Sequence, residues 1–169
     1  MVLYLRQKAI FATVKISFLS AFNPYRGGIS QFSEAVCESC ADDHDCRAWT
    51  FTRQYPEILF PGKTQFDDSV TGDAHASRTL DTINPTSWRK TGRLINEFHP
   101  DWHINHFWMP FFGPAMGRVS KVVRPNSKVA TILHNLVPHE GRAFDKQLTM
   151  RVLRQSQAFV TMSSSVSDD

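Results

Sequence analysis

The sequence predicts an α/β domain, a Rossmann-like parallel sheet with helices on both faces. Three observations lead there. Short apolar, β-branched runs of strand length recur along the chain, separated by stretches with helical period. The first of them, Val14 to Ser20, is apolar on both faces, as a strand covered on two sides must be. The 169 residues are 41% hydrophobic and 12% aromatic, enough for one domain's core, which excludes disordered, collagen-like and small disulfide-scaffold classes.

The elements follow in order. Val14 to Ser20 (VKISFLS) reads as a buried strand. After the loop Ala21 to Gly28, the residues Ile29, Phe32, Val36 and Cys40 recur at helical spacing and predict a helix over Ile29 to Ala41. Arg47 to Thr52 (RAWTFT) is the second strand. Arg53 to Thr86 has no clear period and carries Pro56, Pro61, Gly62, Gly72 and Pro85, so it is either a functional loop or a cover for short elements. Ser87 is the expected N-cap of a helix marked by Trp88, Leu94, Ile95 and Phe98 and ended by Pro100.

Trp102 to Trp108 is a third strand candidate. Phe112, Ala115, Val119 and Val122 mark a helix entered through Pro110 and Pro114 and closed by Pro125. Lys128 to His134 (KVATILH) is a strand, Arg142 to Ser156 a helix, and Ala158 to Met162 (AFVTM) another strand. Ser163 to Ser165 offers N-cap candidates for a helix the chain does not complete.

Ligands of open α/β sheets sit beyond the carboxyl ends of the strands, so the loops there are the ones to read. In Phe22-Asn23-Pro24-Tyr25-Arg26-Gly27-Gly28, two adjacent glycines let backbone N–H groups approach a ligand, and the helix start that follows favours a phosphate. The same glycines could simply make the turn. In His134-Asn135-Leu136-Val137-Pro138-His139-Glu140, imidazole, amide and carboxylate fall within seven residues and can hydrogen-bond a polyhydroxylated ligand. The aromatics of Trp108 to Pro114 could stack on a sugar or a lipid, but a helix entry rich in Phe and Pro reads first as packing. Cys37, Cys40, His44 and Cys46 offer soft ligands, but structural zinc sites separate their two pairs more widely, so no metal is expected.

The formal charge of +3 is too small to imply nucleic acid as a partner. It is unevenly spread: residues 1–85 hold 8 Lys/Arg against 10 Asp/Glu, and residues 86–160 hold 11 against 4. The second half therefore carries a basic surface that could meet phosphate groups or make a peripheral contact with an anionic membrane, or could be simply a solvated helix face. No run of about 18 uncharged apolar residues exists to span a bilayer. Arg6, Lys8 and Lys15 interrupt any signal-peptide core, and three cysteines make no regular disulfide framework, so a cytoplasmic protein is expected.

Five stretches carry a family likeness: AFNPYRGGISQFSEAV (21–36), WTFTRQYPEILFPGKTQF (49–66), LDTINPTSW (80–88), WMPFFGPAMG (108–117) and ILHNLVPHEGRAFDKQLT (132–149). Together they resemble the N-terminal domain of GT-B glycosyltransferases of family 4, in particular a bacterial subgroup with an RQYP…LFPGKTQ loop. The likeness covers residues 14–169 and leaves 1–13 as an N-terminal extension. It implies a retaining transfer of a sugar from a nucleotide-diphosphate donor to a glycan, lipid or small-molecule acceptor, with this domain shaping the acceptor side.

By the same resemblance, Gly27 and Gly28 match the loop that reaches the donor phosphates. His134 matches a position that contacts the donor sugar and is the expected catalytic residue, and Asn135, His139, Glu140 and Arg142 fall in the adjoining substrate-binding loop. No cofactor and no metal are expected, since positive side chains and a helix N-terminus would carry the leaving diphosphate. The family's Glu-x7-Glu motif belongs to a C-terminal donor-binding domain. Glutamates here stand only at 34, 38, 57, 97 and 140, no two of them eight apart.

The expectation is a front half, C-terminally incomplete, that is inactive alone. The alternative is a non-catalytic interaction or membrane-docking module that needs a partner half. An NADP-linked reductase using Arg53 for the 2′-phosphate lacks both the G-x-G-x-x-G fingerprint and, within the predicted domain, a Tyr-x3-Lys pair.

Overall fold

A computed structural model describes residues 12–56, 66, 75–134 and 144–162. Among them are six strands, β1 (Lys15–Leu19), β2 (Asp45–Arg53), β3 (Ala76–Asp81), β4 (Trp102–Phe107), β5 (Lys128–Leu133) and β6 (Ala158–Thr161). The helices are α1 (Gly28–Ala41), α2 (Pro85–Phe98), α3 (Gly113–Val123) and α4 (Asp145–Leu153), with a short 3-10 turn at Pro110–Phe112 ahead of α3.

The strands form one parallel sheet in the order β3-β2-β1-β4-β5-β6. This is the doubly wound Rossmann order, in which the winding reverses between β1 and β4. Alternation along β1 sends its side chains into two cores. Ile16 and Phe18 pack with Val36, Cys37 and Cys40 of α1, whereas Leu19 joins Ile95 and Phe98 of α2, Met116 and Val119 of α3 and Val152 of α4. The α/β architecture with helices on both faces is therefore as the sequence predicts.

Local chemistry explains the element ends. Asn84 caps α2, its side chain accepting from the Thr86 N–H at 3.1 Å, and Pro85 fills the first helical position. Ser87, the expected cap, lies inside the helix. Its Oγ donates to the Asp81 and Asn84 carbonyls and accepts from the Asp81 N–H at 3.0 Å, pinning α2 to the end of β3. An asparagine followed by proline outcompetes a serine three residues later. His99 ends α2 in the left-handed conformation (φ 56°) just before Pro100.

The unperiodic segment hides β3. That strand is at the sheet edge, pairs among the described residues only with β2 through an irregular register, and buries chiefly Ala76 and Leu80, too few apolar positions to show a period. The last helix is shorter at its end than Arg142 to Ser156: α4 stops at Leu153, and Arg154 to Ser156 turn into β6. Its expected start at Arg142, and Ser163 to Ser165, lie outside the described residues.

The three cysteines are free and half-buried beside the α1-side core. Burial first, then neighbouring negative charge, pushes the Cys37 and Cys46 thiols up to about 11 and about 12, so both are protonated at neutral pH. Among the described residues no group of three or more His, Cys, Asp or Glu is placed to hold a metal ion, and no helix is long and apolar enough to cross a membrane.

Candidate functional site

The winding reverses between β1 and β4, whose carboxyl ends are where open α/β sheets bind ligands, and β5 lies next to β4. The loop leaving β1 is firmly held. Glu34 of α1 accepts from the Asn23 N–H at 2.8 Å, and the buried Tyr25 hydroxyl donates to the Phe51 carbonyl at 3.1 Å. Gly27 then turns the chain at φ 112°, a left-handed conformation that suits glycine, and α1 begins at Gly28.

No side chain caps this helix, and the first intrahelical bond runs from the Gln31 N–H to the Gly27 carbonyl. The N–H groups of its first turn are left for a ligand or water, at the positive end of the helix. Both glycines are exposed, and a Cβ at either would meet nothing within 4 Å. The Ser30 hydroxyl in this turn is buried and has no partner among the described residues.

A chain of hydroxyls and imidazoles leads from here to β5. Ser20 Oγ lies 2.6 Å from Ser33 Oγ, Ser33 donates to the Ile29 carbonyl at 2.7 Å, and Ser33 Oγ is 3.1 Å from His106 Nδ1. His134 Nε2 stands 3.3 Å from the same His106 nitrogen. That nitrogen holds one proton or one lone pair, so it either donates to Ser33 or accepts from His134, and the tautomers of the pair are coupled. Phe32, one turn after Gly28, makes T-shaped contacts with both imidazoles, with centroids 5.1 Å from His134 and 5.7 Å from His106.

Burial, and then the charge of His134, lowers His106 to about 3, and burial alone lowers His134. Both rings are neutral at physiological pH. His106 Nε2 is buried without a partner among the described residues, whereas His134 is half-buried at the rim. A neutral imidazole there can donate to or accept from a ligand hydroxyl.

Three of the residues singled out from sequence are thus described. Gly27 precedes α1 and Gly28 begins it, and His134, the residue after β5, meets the same helix through Phe32. Asn135, His139, Glu140 and Arg142 lie outside the described residues. His106, Ser20 and Ser33 were missed. Their signal is polarity in buried elements: β4 reads Trp-His-Ile-Asn-His-Phe, three polar side chains in a central strand.

Two other readings are decided by packing. Arg53 ends β2 beside Asp81 at the end of β3 and holds its carboxylate with two guanidinium hydrogen bonds, Nε to Oδ1 at 3.0 Å and Nη2 to Oδ2. Burial raises Asp81, but the Arg53 hydrogen bond, the Ile83 and Asn84 N–H groups and the Arg53 charge hold it below its ordinary value. Arg53 is engaged where a 2′-phosphate would need it. The Trp108 to Pro114 loop is packing, as expected: Trp108 and Phe112 lie 4.6 Å apart, Phe112 is fully buried, and Trp108 Nε1 donates to the Tyr55 hydroxyl at 3.2 Å.

No family model matches the chain, and no curated protein matches it. A solved structure of a protein of unknown function from Vibrio parahaemolyticus is similar in outline. It shares 15% identity over 91% of this chain and 96% of that one, with a TM-score of 0.39, a likeness on which no functional argument rests.

Proposed function

We propose that this chain is the acceptor-side domain of a retaining glycosyltransferase that uses a nucleotide-diphosphate sugar. One observation carries the reading: the uncapped start of α1 at Gly27-Gly28 and the neutral imidazole of His134 lie beyond the carboxyl ends of β1 and β5, joined through Phe32. Diphosphate and hydroxyl are the two chemistries a sugar donor brings to such a site. The free N–H groups of the first α1 turn would meet a phosphate oxygen. His134 would hold a sugar or acceptor hydroxyl, backed by His106 and Ser33. A cytoplasmic site of action, where nucleotide sugars are made, goes with this reading.

The chain alone is expected to bind its ligands weakly and to turn nothing over. The test is a 1H-15N titration of the purified protein with UDP-, GDP- and ADP-sugars. Gly27, Gly28 and Ile29 amides and the His134 ring should shift together, and no product should form. Shifts confined to other parts of the chain overturn the reading.

The non-catalytic docking alternative draws on a different observation. Strand β6, paired among the described residues only with β5, leaves Phe159, Val160 and the following Met162 each about half exposed, apolar surface that a partner could cover. Sedimentation showing a concentration-dependent dimer that Val160→Lys abolishes would favour it.

A further inference from the structure

The outer side of the α2–α4 layer gathers cations in a groove that no carboxylate lines among the described residues. Arg89 of α2, Arg118 and Lys121 of α3, and Arg151 and Arg154 at the end of α4 line one groove of about 420 Å³, with Trp88 in its wall. The glycines of α3 bring them together. Gly113 and Gly117, one turn apart, face α4 so closely that a Cβ at either would lie 1.9 Å from the Leu148 carbonyl oxygen or 2.4 Å from that of Arg151. The backbone carrying Arg151 is therefore seated directly on the helix that carries Arg118 and Lys121.

Among the described residues none of the five makes a side-chain hydrogen bond or an ion pair, and none of the groove's lining residues is a carboxylate. A single acid, Glu97, lines the adjoining groove on the far side of Arg89, where Lys90 and Arg93 add two more cations. Five like charges in one recess repel one another and focus positive potential on its interior. Four of them are guanidiniums, whose forked donors match phosphate oxygens two at a time. The volume is that of a small-molecule site, roughly 300–1,000 Å³. None of the large apolar side chains exposed among the described residues lines it, so it lacks the insertion surface of a membrane-lying face.

We propose that this groove binds a small ligand carrying two or more phosphate groups. The site is separate from the Gly27-Gly28 loop and independent of the glycosyl-transfer reading.

Inorganic tripolyphosphate is the probe, titrated calorimetrically and by thermal shift at fixed ionic strength, with chloride as reference. Saturable one-to-one binding with a Tm that climbs with ligand concentration is expected. R118Q/R151Q should weaken it by about 10-fold or more, and each single variant by less. Lys128→Gln, at the start of β5, should leave it within about 2-fold, the standing uncertainty of single interactions. Circular dichroism of the double variant separates lost binding from lost fold, and the single variants decide if the double one fails to fold. Full binding retained by the folded double variant overturns the groove and points to the α1 loop. Equal weakening by Lys128→Gln overturns it as diffuse charge attraction. Binding to phosphatidylglycerol vesicles with none to tripolyphosphate overturns it in favour of a membrane surface.

Discussion

His106 and His134 meet at a single nitrogen, and a hydroxyl of α1 competes for it. The contact makes their protonation a joint property, with His134 the member that reaches the rim. If the chain works with a donor-binding half as proposed, His134→Ala should lower kcat by about 10²-fold or more while acceptor KM moves little, as steady-state kinetics would read. An unchanged kcat removes His134 from the chemistry. Gly28 gives the complementary test, because open space surrounds its missing Cβ and its backbone is ordinary. Gly28→Ala should leave Tm within a degree or two or raise it slightly, alanine being the better helix former by roughly 1 kcal/mol. Gly28→Phe should block approach to the α1 amides with the fold intact, seen as a lost nucleotide-sugar titration beside an unchanged melt. Gly27 and Gly28 were readable because a glycine pair before a helical period is a local pattern. His106 was not, because its partner Ser33 is 73 residues away.

Elements are fixed by their ends and by the glycines between them. Three glycines in helices face a neighbouring helix, and their substitution should not resemble that at Gly28. A Cβ at Gly113 or Gly117 would overlap α4 backbone, which cannot swing aside as a side-chain tip can. Gly117→Ala should therefore destabilise by about 2 kcal/mol or more despite the gain in helix propensity, measured as a lower denaturant midpoint at unchanged slope. A variant as stable as the parent would mean that α3 and α4 are further apart than described. Most elements were legible at this scale: the period of α1, α2 and α3 and the two-faced apolarity of β1 and β5 are carried by consecutive residues. Edge strand β3 was not, since a strand paired on one side with two buried apolar residues writes almost no period.

Across the whole molecule, buried histidines tie the fold to pH. His103, bonded through Nδ1 to Ser17 Oγ at 2.8 Å across the β1/β4 register, is lowered to about 4 chiefly by burial, and His106 to about 3. Each binds its proton more readily in the unfolded chain, where the ordinary value is 6.5. The unfolded state thus takes up more protons below that value, so their contribution is fully present above pH 6.5 and declines as pH falls toward 4 and 3. By pH 5 the loss should be about 2 kcal/mol for each of the two rings. Urea unfolding at pH 8 and pH 5 reads this directly, and His103→Gln should flatten the fall even if it lowers stability at pH 8. Equal falls in parent and variant would show that His103 is not held neutral. The sequence by itself determined the α/β class, the alternation of elements, the loops at the strand ends and the basic bias of the second half, because composition and period are properties of neighbours along the chain. Tertiary structure alone decided that β4 lies beside β1, that His134 backs onto His106 and Ser33, and that Arg118, Lys121, Arg151 and Arg154 share one groove. Those juxtapositions arise from strand register and from glycine-permitted helix approach, which bring together residues tens of positions apart.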